Sequence, residues 1–166
     1  MQAKTPHMER LILIFLLITA GSFGQTNTSK KYLTKLFKES IEQNKRKSIL
    51  IDSNAWEINN INNEYYKADT LKVYNFNRNN SNKFCEYIGW TFYRKDSFIL
   101  HKAHHCDEPP TNSVSTNKDR LKIKFTKSEN KTILELYNFE KLLNQFEVLS
   151  AKKTELETEI VLLRIK

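Results

Sequence analysis

The stretch Phe84 to Cys106, FCEYIGWTFYRKDSFILHKAHHC, constrains this chain more than any other. Apolar and polar residues alternate on both sides of a short polar turn, Lys95-Asp96, which is the pattern of two antiparallel strands joined by a tight hairpin. A cysteine stands near each outer end. With the turn centred on Lys95-Asp96, Arg94 faces Ser97, Trp90 faces His101 and Cys85 faces Cys106. Hydrogen-bonded and non-hydrogen-bonded pairs alternate outward from the turn, which puts Cys85 and Cys106 on a non-hydrogen-bonded pair. Side chains approach most closely there, so a cross-strand disulfide is feasible.

The first residues explain why such a bridge would persist. Lys4, His7 and Arg10 precede an uninterrupted apolar run, Leu11 to Ala20, and Ser22-Phe23-Gly24 then offers small residues before Gln25. That is the layout of a secretory signal peptide over residues 1–24, and the run is shorter than the roughly 20 apolar residues a membrane span needs. An uncleaved N-terminal anchor is the less favoured alternative. The expectation is an exported protein, periplasmic or secreted, with no stable membrane span. Two cysteines in an oxidising compartment have one possible pairing. Closing a loop of about twenty residues would contribute roughly 3 kcal/mol in the chain-entropy model.

The chain has 166 residues, enough for one domain with a proper core. Its net charge of +8 could attract anionic lipid, glycan or an acidic protein. The basic residues are mostly lysine, however, and the arginine forks that recognise phosphate are few and scattered. Nucleic-acid binding is therefore not expected.

After a polar lead-in from residue 25, Lys31 to Lys47 carries Leu33, Leu36, Phe37 and Ile41 at helical spacing, with Thr28 or Ser29 as cap. Such an amphipathic helix most often covers a side or an open end of its own domain. From Ser48 the period becomes alternating. Ile49 to Ile51, then Trp56, Ile58 and Ile61, lead into an Asn-rich turn. Leu71 to Phe76 reads as a strand, and Asn77 to Asn82 as a turn. Beyond the hairpin, Asp107 to Lys118 is a loop stopped by Pro109-Pro110. Arg120 to Thr126 is the cleanest strand, with Leu121, Ile123 and Phe125 inward and Lys122 and Lys124 outward. Thr132 to Phe139, Leu142 to Leu149 and Ile160 to Ile165 follow as strands, although Ala151 to Lys166 also has helical spacing at Leu156, Ile160 and Leu163. The sum is an all-β fold over residues 48–166, an antiparallel up-and-down barrel of about eight strands.

With the strands placed, the mature chain resembles the small lipocalin-like domains exported by Bacteroidota. The matching features are Asn54-Ala55-Trp56-Glu57-Ile58 on the first strand and Trp90-Thr91-Phe92 before a polar turn, with a cysteine ending the next strand. Ile133-Leu134-Glu135-Leu136, Phe146-Glu147-Val148 and Ile160 to Lys166 complete the match. Asn54 stands where the larger lipocalin family carries glycine. The resemblance implies an antiparallel lipocalin-like (calycin) barrel with an apolar interior.

Within the hairpin, Phe84, Ile88, Trp90, Phe92, Ile99 and Ala103 are assigned to the apolar, inward face, together with Glu86 and His101. Trp56, Ile88, Trp90, Phe92, Ile99 and His101 are the candidate ligand-binding residues. Two outcomes stand open: these side chains line a cavity, or they fill a small barrel solid. His101, His104, His105, Cys106, Asp107 and Glu108 invite a metal reading, but alternation sends His104 and His105 to opposite faces and a bridged Cys106 cannot ligate. No metal site is assigned. Gly89, the sole glycine after Gly24, suggests a kink or bulge in mid-strand. Its singularity excludes Gly-rich phosphate loops and nucleophile elbows from the mature chain. No catalytic constellation and no cofactor motif stands out.

The expected function is thus non-catalytic binding of a small apolar or amphipathic molecule. The alternative is a protein-interaction module of the inhibitor or immunity type, presenting its basic surface and the 107–118 loop to an acidic partner.

Overall fold

A computed structural model of the chain describes residues 27–44, 54–76, 84–106, 109–113 and 116–166. The expected signal peptide, the Ile49 to Ile51 run, the 77–82 turn, and Asp107 and Glu108 lie outside the described residues. Helix α1 (Lys30–Asn44) is followed by β1 (Trp56–Asn59), a short helix α2 (Glu64–Lys67) and β2 (Thr70–Phe76). The hairpin strands are β3 (Glu86–Arg94) and β4 (Ser97–His104), with a two-residue β5 (Thr111–Asn112) beyond them. The chain ends in a meander of β6 (Arg120–Ser128), β7 (Lys131–Asn138), β8 (Lys141–Lys153) and β9 (Glu157–Arg164). The C-terminal segment, open between helix and strand in the sequence, is a strand.

Eight of these strands close an antiparallel barrel in the order β3-β1-β2-β9-β8-β7-β6-β4, with β4 pairing back to β3. β1 lies between β2 and β3 and is antiparallel to both. The interior is apolar. Leu71 and Val73 of β2, Leu121 and Ile123 of β6, Leu134 and Leu136 of β7, and Ile160 and Leu162 of β9 meet there at i, i+2 spacing, as a strand with one buried face requires. Lys122 and Lys124 are exposed between them.

The hairpin forms around Lys95-Asp96, but not in the register that a plain two-residue turn dictates. Arg94 pairs with Ser97, and then Phe92 pairs with Phe98: Tyr93 is an extra residue, a β-bulge. Everything beyond it slips by one position. Trp90 therefore faces Leu100 rather than His101, and His101 faces Gly89. A one-residue slip moves a whole strand's side chains to the other face. Ile99, His101 and Ala103 consequently point out of the barrel with Tyr87, Gly89 and Thr91, while Ile88, Trp90 and Phe92 point in. Cys85 is not directly opposite Cys106 either; its carbonyl accepts the His105 N–H at 2.8 Å. The two cysteines are nonetheless bridged, with Cα atoms 5.0 Å apart, because Cys106 lies just past the end of the ladder.

Gly89 has a different task from the expected kink. The imidazole of His101, 1% exposed, lies flat across it, and a Cβ at residue 89 would overlap the ring atoms. Gly89→Ala is expected to cost about 1–3 kcal/mol through overpacking. In a His101→Ala background the same change should be neutral or stabilising, since alanine normally suits a strand better than glycine. Urea unfolding of the four proteins measures that coupling.

α1 closes one end of the barrel. Ser29 caps it, its Oγ accepting the Tyr32 N–H at 3.3 Å. Leu33, Leu36 and Phe37, spaced to share one face, enter the core. Phe37 stacks on Phe92 at 4.4 Å and meets Trp56 edge-on at 5.0 Å. Lys153 on β8 holds Glu39 at 2.6 Å. Asn54 adopts φ 62°, a conformation asparagine tolerates better than most residues. From there its side-chain amide donates to the Ser40 carbonyl at 2.8 Å, and its oxygen accepts from Asn75 at 3.1 Å. The opposite end is closed by Arg164. Its guanidinium donates to Asn144 Oδ1 at 2.6 Å and to the carbonyl of Tyr65, and lies over the Phe146 ring. No described helix is long and apolar enough to cross a membrane.

Candidate functional site

The six candidate ligand-binding residues do not form one lining. Trp56, Ile88, Trp90 and Phe92 meet inside the barrel, each no more than 2% exposed. Trp90 stacks on Phe98 at 4.9 Å, and Tyr65 stands edge-on to it at 6.4 Å. Phe92 lies between Phe37 and Phe98. These aromatic side chains pack against one another and against the apolar face of α1. Ile99 and His101 belong to the outer face, for the register reason given above. Phe84, also assigned inward, lies against Tyr74 and Phe76, which alternate with core residue Val73 and so face outward.

The histidine-rich end of the hairpin is a packing feature. His101 and His105 both adjoin Tyr87, whose hydroxyl lies 3.3 Å from His105 Nε2. His104 pairs across the ladder with Glu86. Glu86 is held by Lys102 at 2.7 Å and by the Asn60 amide at 2.9 Å. The Lys102 hydrogen bond keeps its carboxyl below the usual range, so it is ionised at neutral pH. Among the described residues no group of three or more His, Cys, Asp or Glu side chains gathers as a metal site.

Concavities among the described residues lie elsewhere, and two of them bear on binding. One is a groove of about 120 Å³ at the α1 end, between Leu36, Ser40 and Trp56 on one side and the β8–β9 turn on the other. It is polar and crossed by the Lys153–Glu39 ion pair, and its volume is below the range of small-molecule sites. The other is a wall pocket of about 350 Å³ between β1 and β2. Its origin is a parting of strands. β1 pairs with β3 at four positions but with β2 only at Glu57–Tyr74. Past that bridge the chain leaves β1 through Asn60, whose side chain accepts the Tyr65 N–H at 3.3 Å, and through Asn63 at φ 59°. β2 meanwhile continues to Thr70 in full register with β9. The two strands separate, and the gap exposes the edge of the core.

Ile58 and Leu71 form the floor of this pocket, with Ala68, Tyr74 and Phe84 as apolar walls. Asn59, Glu64, Thr70 and Lys72 supply the polar rim. Burial, and then the Glu159 carboxylate across the ladder, push the Tyr74 phenol above its ordinary value. Its hydroxyl therefore stays a neutral donor at any physiological pH. A floor of core side chains, a few polar groups at the mouth and this volume are what small amphipathic ligands require. Residue pattern alone missed the site because it arises where pairing stops. The available signal was the shortness of β1, in which Asn59-Asn60 follows Ile58 at once.

No family model, no curated protein and no solved structure matches this chain.

Proposed function

We propose that the protein is an exported, lipocalin-like binding protein for a small apolar or amphipathic molecule, and that it is not an enzyme. The ligand binds in the wall pocket between β1 and β2. The observation that carries this reading is an apolar pocket of about 350 Å³ lined by the core residues Ile58 and Leu71. Export is supported by the signal-peptide layout of residues 1–24 and by the Cys85–Cys106 bridge. The second reading, an interaction module for an acidic partner, is favoured by the outward Lys122 and Lys124 of β6 and the net charge of +8.

A titration with N-phenyl-1-naphthylamine, a neutral apolar fluorophore, separates the two. The wild type should enhance its emission saturably. Ala68→Phe, which adds bulk at the pocket wall, should weaken that binding about tenfold or more, a loss of at least about 1.4 kcal/mol, with the urea midpoint checking that the fold is kept. A wild type that leaves the emission unchanged, or an Ala68→Phe variant that binds as tightly, would sink the ligand reading.

A further inference from the structure

Four of the exposed large apolar residues share one end of the barrel, while Leu156, 62% exposed, stands at the α1 end. Ile61, Tyr66, Phe139 and Ile165 are 47%, 60%, 73% and 54% exposed, and all four lie at the barrel end opposite α1. Leu143 and Leu149 have a local explanation, since each is the extra residue of a bulge in β8. The four at the end have none. They sit on three segments gathered by shared bonds. Arg164 joins the 65–68 turn to Asn144 at the start of β8, and Gln145 pairs with Ile165 and Lys166.

Phe139 is the most telling of them. It occupies the tip of the β7–β8 hairpin at φ 53°, a backbone state that favours glycine or asparagine. An exposed phenylalanine there is unfavourable in solution for two separate reasons. A lysine follows three of the tips within two residues: Tyr66-Lys67, Phe139-Glu140-Lys141 and Ile165-Lys166. Asp69 and Glu140 are interleaved with them, so the attraction comes from the apolar tips and the lysine stems rather than from a local charge surplus. Protruding tips on separate turns suit a deformable surface better than a flat protein face. Aromatic and aliphatic tips enter the interface while lysine heads reach the lipid phosphates.

We propose that this end of the barrel docks on a phospholipid surface, which the net positive charge, +8 for the full chain and +7 without residues 1–24, favours when the lipid is anionic. Asn59, Glu64 and Thr70, which line part of the wall pocket, lie on the segments that lead into this end. The docking itself stands on the exposed tips and does not depend on the pocket being occupied.

Co-sedimentation with vesicles of phosphatidylethanolamine and phosphatidylglycerol, 3:1, tests it on the mature chain. Phe139→Asn removes the largest tip and suits the left-handed backbone, so its thermal midpoint should equal or exceed the wild type's. Its vesicle affinity should fall about tenfold. Leu156→Ser alters an exposed leucine at the α1 end and should bind as the wild type does. The proposal is overturned if the wild type fails to sediment with vesicles, if Phe139→Asn binds undiminished, or if Leu156→Ser loses as much.

Discussion

Phe37→Ala is expected to lower stability by about 3–5 kcal/mol, the range for deleting a buried aromatic side chain. Phe37 joins α1 to the barrel through three rings: Phe92 at 4.4 Å, Trp56 at 5.0 Å and Phe125 at 6.2 Å. Leu33 and Leu36 also enter the core from α1, but neither can replace the ring contacts that Phe37 makes. Exposed ion pairs such as Lys153–Glu39 contribute about 1 kcal/mol at most. Beyond the shift in urea midpoint, the variant should become cleavable by trypsin at Lys35 and Lys38 before the barrel itself unfolds. A midpoint shift below about 1 kcal/mol would mean that α1 is not a structural closure.

The second large effect belongs to the disulfide. Cys85 and Cys106 are separated by 21 residues, and their bridge restricts the unfolded chain. Removing it by Cys85→Ser with Cys106→Ser should cost about 3 kcal/mol. The ladder from Glu86 to His104 does not need the bridge in the folded state, so the fold should survive the loss. Wild type unfolded in the presence of reductant should reproduce the double variant's midpoint. Thiol labelling of the oxidised protein without denaturant should find neither cysteine reactive.

Much of this architecture is legible in the residues, and the exceptions share a physical cause. Alternation identified β6 by Leu121, Ile123 and Phe125, and helical spacing identified α1 by Leu33, Leu36 and Phe37. Both patterns report which face is buried, and burial is what the sequence encodes most strongly. Bulges break that inference. Tyr93 carries no mark that it is an extra residue, yet it rotates Ile99 and His101 out of the expected lining and moves Cys106 off its facing pair. Leu143 and Leu149 read as ordinary strand leucines for the same reason. Gly89 did announce something unusual, but its use, a bed for the His101 ring, depends on the slipped register.

The candidate site was less legible than the fold. Trp56, Ile88, Trp90 and Phe92 were rightly placed inside the barrel, and there they fill space with the help of Phe37. Asn59-Asn60 after Ile58 marks β1 as short, but no residue of β1 or β2 marks Glu57–Tyr74 as their single pairing. The pocket over Ile58 and Leu71 follows from that geometry rather than from any motif.

Native mass spectrometry of the protein purified from its own host tests the central claim most directly. The binding reading predicts a retained small amphipathic molecule on the wild type that is lost in Ala68→Phe. A bare polypeptide mass in both proteins, or a co-purifying acidic protein in place of a small molecule, would contradict it.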